Sequence, residues 1–205
     1  MGGISEANVE WAVVSRLKAM LDEPPPTRFN VTQSFALFST VVMWTKNRAW
    51  VGENQLGVVD DAARAARKRL RVARICEEPW SLPRIQPQIG LMHPDEHEAG
   101  EGAGINTDFA VCTAEDFFQW LRNALAHGDG RNIKPIHKRS RQGPGTLLAG
   151  FEVSSRTPQR RILSLYNDDM RRMGSTLADL FCATLSATDR YHDWDQGSSM
   201  VGEAA

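Results

Sequence analysis

The chain has 205 residues, with 24 Lys and Arg against 25 Asp and Glu, a formal net charge of −1, and 41% hydrophobic residues. That length suits one domain, that balance excludes wholesale disorder, and the total charge argues against a strongly basic nucleic-acid binder. Three widely spaced cysteines (Cys76, Cys112, Cys182), with no Cys-x-x-Cys, exclude a disulfide scaffold and a zinc finger and suit a reducing compartment. Glu6 and Glu10 near the start leave no signal-peptide pattern, and the longest apolar stretch, residues 35–44, is broken by Ser39 and Thr40 and too short for a bilayer. No membrane association and a cytoplasmic location are expected.

The first predicted helix covers 5–21 and ends at Asp22-Glu23-Pro24-Pro25-Pro26. The second covers 30–51, with Asn30 as cap and Gln33 three residues on. Val31, Phe35, Leu37, Phe38, Val41, Val42, Met43 and Trp44 make it apolar nearly all round, as a central buried helix would be. The third covers 58–76, with Val59, Ala63, Ala66, Leu70 and Ala73 inward. Arg64, Arg67, Lys68, Arg71 and Arg74 form a basic stripe read first as a solvated face and second as an RNA-backbone contact.

Residues 77–111 hold four prolines and four glycines without a sustained period, which predicts a long irregular acidic connection. His93-Pro94-Asp95-Glu96-His97 lies there. Its two histidines have metal-ligand spacing but no helical frame, so no metal site is assigned. A fourth helix opens at Thr113, with Asp116 three residues on, and stops at His127-Gly128. Short β-rich runs at 133–138, 147–154 and 161–166 predict a small antiparallel hairpin or sheet within a basic insert, 131–166. His137 in that insert is read as strand surface. A last helix begins with Asn167 as cap and carries Met170, Met173, Leu177, Leu180, Phe181 and Thr184 inward. The fold class expected is mainly α: one helical domain over 1–187, the β insert between its last two helices, and a polar tail over 188–205.

Charge is segregated along this order. Residues 75–130 hold two basic and ten acidic side chains, whereas 131–172 hold ten basic and three acidic. Such a boundary polarises a surface and can steer an anionic partner despite a neutral total.

Phe117-Phe118-Gln119-Trp120-Leu121-Arg122-Asn123-Ala124-Leu125-Ala126-His127-Gly128 sits at that boundary. An Arg followed by Asn, with a His five positions after the Arg at the end of a helix, resembles the signature of the HEPN superfamily of metal-independent endoribonucleases. The aromatic-rich second helix is similar to the plasmid-encoded and phage-defence branch of that superfamily. The resemblance spans residues 5–187, but only the six-residue motif is specific. It implies a HEPN-like helical bundle, a homodimer with a composite cleft, no cofactor and no metal, RNA as substrate, and a toxin or antiviral role. An antitoxin or nucleotidyltransferase partner is also implied.

The residue chemistry agrees with that role. RNA carries its own nucleophile, the 2′-hydroxyl, so cleavage needs only a proton acceptor or donor and a cation for the charge developing on phosphorus. His127 suits the first task, since the carboxyl end of a helix favours a protonated ring, and Arg122 the second, since a guanidinium grips phosphate oxygens two at a time. Asn123, one turn before His127, can orient the ring or a phosphate oxygen. Arg122 and His127 lie about 140° apart around a helix, so two motifs facing across a two-fold axis would complete a site better than one. Arg131, Lys134, Lys138, Arg139 and Arg141 follow as candidate holders of the RNA backbone. The alternatives are a non-catalytic HEPN module that binds nucleotide, RNA or a partner, and a structural dimerisation domain in which Arg122 pairs with Glu115 or Asp129.

Overall fold

The computed structural model describes residue 4 and residues 9–23, 29–54, 61–82, 111–128, 132–140, 145–154 and 162–187. They form α1 (Val9–Asp22), α2 (Asn30–Asn54), α3 (Asp61–Val72), α4 (Ala114–Ala126), β1 (Ile133–Arg139), β2 (Thr146–Ser154), β3 (Ile162–Tyr166) and α5 (Asn167–Ser186). The described part is therefore mainly helical, with a three-stranded antiparallel sheet of order β1-β2-β3 between α4 and α5.

α2 and α5 cross at the centre of the core. Phe38, Val41 and Val42 of α2 and Met170, Met173, Leu177, Ala178, Phe181 and Leu185 of α5 are buried together. Gly174 sets the spacing: a Cβ there would lie 2.7 Å from Leu21 Cδ1 of α1 and 3.1 Å from Phe38 Cδ2 of α2. Burial of large apolar side chains at this crossing supplies most of the driving force for folding. The sheet adds Val153, Leu163 and Leu165 to the same core, and Phe151 meets Phe35 of α2 with ring centroids 4.3 Å apart. The start of α5 is one residue earlier than expected. Tyr166 is its cap, and its backbone N–H donates to the Asp169 carboxylate at 3.3 Å, while Asn167 is already helical.

α3 stops at Val72, four residues before the expected end at 76. Its continuation instead pairs with the approach to α4. The Ala114 N–H donates to the Ala73 carbonyl at 2.8 Å and the Ile75 N–H to the Cys112 carbonyl at 3.1 Å. The chain then folds inward, so the first residues of the expected irregular connection belong to the core. Trp80 and Leu82 are buried, Trp80 meets the edge of Phe118 at 5.0 Å, and Arg172 donates to the Trp80 carbonyl at 2.7 Å. The rest of that connection, with His93 and His97, lies outside the described residues, as does the tail after residue 187.

A buried ion cluster joins three helices. Glu115, in the first turn of α4, accepts from Lys46 Nζ of α2 at 2.7 Å and from Arg67 Nε of α3 at 2.9 Å. The Lys46 and Glu115 side chains are only 2% and 8% exposed, so the pair has little help from solvent. Burial pulls the Lys46 pKa below that of an ordinary lysine, and the hydrogen bond to Glu115 works against that shift. Arg67 is thus turned inward, unlike Arg64, which remains exposed beside Asp61. The expected outward stripe on α3 is therefore divided. Among the described residues no helix is long and apolar enough to cross a membrane.

Two measurements check these assignments. Replacing Glu115 with Ala strands two cations, one of them fully buried, and should lower unfolding free energy by about 3–5 kcal/mol in urea melts. Burial, and then the nearby Asp179 charge, push the Cys182 thiol up to about 12. In the folded protein Cys182 should therefore resist iodoacetamide at pH 8–9. The unfolded thiol ionises first as pH rises above its ordinary value of 9.0, so this group also withdraws stability between there and about 12.

Candidate functional site

α4 carries the motif, and its start is defined by sequence-local bonds. The Thr113 hydroxyl oxygen accepts from the Asp116 N–H at 3.1 Å, while Thr113 Oγ1 donates to the Asp116 carboxylate at 2.8 Å. Phe117, Phe118, Leu121 and Ala124 are buried along one stripe, which leaves Arg122 half-buried at its margin and Asn123 and His127 exposed. His127 is the C-cap, and its backbone N–H donates to the Asn123 carbonyl at 3.1 Å. Gly128 follows because nothing larger fits: a Cβ would lie 2.4 Å from Ile133 Cδ1 and 2.9 Å from the Ala124 carbonyl oxygen. β1 therefore starts directly against the helix end that presents His127.

The Arg122 guanidinium is held by two carboxamides. Nε and Nη2 donate to Asn47 Oδ1 of α2 at 3.1 and 2.9 Å, and Nη1 donates to Asn123 Oδ1 at 3.0 Å. Asn123 Oδ1 also accepts from Gln119 Nε2 at 3.3 Å. Glu115, the acid considered as an Arg122 partner, is instead committed to Lys46 and Arg67, and Asp129 lies outside the described residues. Among the described residues Arg122 thus has no carboxylate partner. Its holders are dipoles, so its orientation is fixed while its charge stays available. Three of the five guanidinium N–H groups are used in these bonds, and two remain for an incoming anion.

The motif is thus brought together in part. Arg122 and Asn123 are bonded, so the Asn123 oxygen, expected to orient the ring or a phosphate oxygen, here holds the guanidinium. His127 stands one turn further on, and among the described residues neither Asn123 nor a carboxylate bonds to its ring. Asn47 was missed in the sequence. Its one signal is the polar run Thr45-Lys46-Asn47-Arg48, which interrupts an otherwise apolar helix.

Of the five candidate cations in the basic insert, the side chains of two are described. Arg131 and Arg141 lie outside the described residues, and of Arg139 only the backbone, in β1, is described. Lys134 is half-buried and is the register partner of Glu152, whereas Lys138 is exposed across from Leu147. Lys138 lies about 16 Å along β1 from the end nearest His127. With His137 it lines a separate cleft of about 540 Å3 between the start of α2 and the start of α5. A shallower groove of about 400 Å3, lined by Glu10, Met43, Trp44, Asn47 and Arg48, includes the residue whose amide oxygen holds Arg122. Among the described residues no group of His, Cys, Asp and Glu is arranged to hold a metal ion.

The arrangement supplies a fixed cation without a carboxylate partner among the described residues, on the same helix as an exposed imidazole. Replacing Asn47 with Asp keeps the acceptor oxygen but neutralises Arg122. Affinity for a single-stranded polyanion should fall and its dependence on salt weaken by about one phosphate contact, while the thermal midpoint stays level or rises. Titrations over a salt series, with a melt of each protein, check both halves. No protein-family model, curated protein or solved structure matches the chain, so the functional reading rests on this geometry and on the motif.

Proposed function

We propose that the chain is a HEPN-like endoribonuclease that cleaves single-stranded RNA by attack of the 2′-hydroxyl on the adjacent phosphorus. The observation that carries the reading is Arg122, oriented by the neutral amides of Asn47 and Asn123 and without a carboxylate partner among the described residues, on the same helix as the exposed His127. Arg48, by contrast, is matched to an acid, Glu10, at 2.7 Å. An arginine held by dipoles is ready for an anion.

In the reaction the 2′-oxygen loses its proton to a base and bonds to phosphorus. The P–O5′ bond breaks, the leaving oxygen takes a proton, and a 2′,3′-cyclic phosphate remains. His127 serves as the acid/base group and Arg122 stabilises the charge that builds on the non-bridging oxygens. The two side chains point about 140° apart on a regular helix, which favours a composite cleft with Arg122 of one chain beside His127 of a second copy. A toxin or antiviral-defence role, and an antitoxin or nucleotidyltransferase partner, follow from the family resemblance alone.

The test is cleavage of single-stranded RNA in EDTA. Wild type should cleave, and His127→Ala should lose about 10²–10⁴-fold in rate. Arg122→Lys should also be slow, because an ammonium cannot reproduce the planar fork. Equal cleavage by wild type and His127→Ala, or none by either, removes the assignment, and binding without cleavage leaves the non-catalytic module. Mixing Arg122→Ala with His127→Ala chains should restore part of the activity when the cleft is shared.

A further inference from the structure

We infer that the groove beside Asn47 is a nucleobase subsite, in which a base of single-stranded RNA stacks on Trp44 while a phosphate of the same strand is held by Arg122. This rests on the reading of Arg122 as a phosphate ligand and adds what the enzyme grips next to that phosphate. The groove, about 400 Å3, runs along α2 and is walled by Glu10, Met43, Trp44, Asn47 and Arg48. Met43 and Trp44 are half-buried within it, so a flat apolar surface remains reachable.

Asn47 belongs to both features. Its carbonyl oxygen accepts two guanidinium N–H bonds from Arg122, and the residue itself forms part of the groove wall. Trp44 precedes Asn47 by three positions on α2, so its backbone lies about one helical turn, roughly 5 Å, from that of the residue that holds the cation. Among the described residues the Asn47 amide nitrogen has no acceptor. It can offer its two N–H groups to a base edge. On the other wall Arg48 and Glu10 are paired at 2.7 Å, which cancels their charges.

The chemistry selects the occupant. A simple anion would use Arg122 and leave the Met43 and Trp44 surface wet. An apolar peptide side chain would fill that surface and leave the cation unanswered. A nucleotide carries a planar ring and a negative charge in one molecule, and base stacking on an aromatic ring tolerates any base. The groove therefore accounts for a requirement for an unpaired base rather than for a particular one.

The experiment measures binding of a short, fluorescently labelled RNA with methylated 2′-hydroxyls, which cannot be cleaved, by the full chain in EDTA. Trp44→Leu should weaken binding about tenfold, Trp44→Phe should keep most of it, and Met43→Glu should weaken it by placing a charge in the groove. Duplex RNA, whose bases are already stacked, should bind weakly and equally to wild type and Trp44→Leu. Ultraviolet crosslinking of 5-iodouridine RNA to wild type should label the peptide containing Met43 and Trp44, a readout that needs no variant to fold. Unchanged affinity in a folded Trp44→Leu or Met43→Glu chain, or crosslinks only elsewhere, overturns the subsite. Unchanged affinity in Arg122→Ala overturns the underlying phosphate reading instead, so the two failures are distinct.

Discussion

The carboxylate of Glu115 fixes the rotation of α4. Its two oxygens are taken by Lys46 of α2 and Arg67 of α3, both at hydrogen-bond distance, in surroundings where an unpaired charge would be costly. A helix pinned at one residue presents the residue seven positions later on nearly the same face, about 20° away. That residue is Arg122. Because the residue after Lys46 is Asn47, the contact that locks the start of α4 against α2 also brings the guanidinium to its amide. The apolar layer between them, with Phe118 against Trp80, holds this rotation from the other side.

This arrangement separates two uses of positive charge. Lys46 and Arg67 are spent on one buried acid and serve the architecture. Arg122, two turns along the same helix, receives only dipoles and stays charged towards solvent. Composition cannot distinguish these uses, since each is one basic residue in the count. Only the identity of the group across the interface does so, and that group lies 69 residues away for Lys46 and 75 for Arg122.

Much of the helical layout was legible because its signals are local. The Thr113–Asp116 bonds, the apolar stripe of α5 and the strand-rich insert all depend on residues a few positions apart. The departures come from distant partners. α3 ended early because Ala73 and Ile75 found Cys112 and Ala114, and Trp80 was drawn into the core by Phe118 and Arg172. Arg122, Asn123 and His127 could be named from their spacing, but Asn47 could not, because no periodicity announces an amide that meets a guanidinium across two helices.

β1 has a further consequence for how copies of the chain can meet. The Ser154 N–H donates to the Asn132 carbonyl, so this pair and Lys134 with Glu152 two residues on exchange the bonds of the ladder. The nitrogens of Ile133 and Pro135 consequently face away from β2, and at Pro135 there is no hydrogen to donate. A missing donor, nearby lysines and the register shift between Ile136 and His137 make this margin of the sheet a poor template for another strand. Growth by continuous sheet is therefore discouraged along β1.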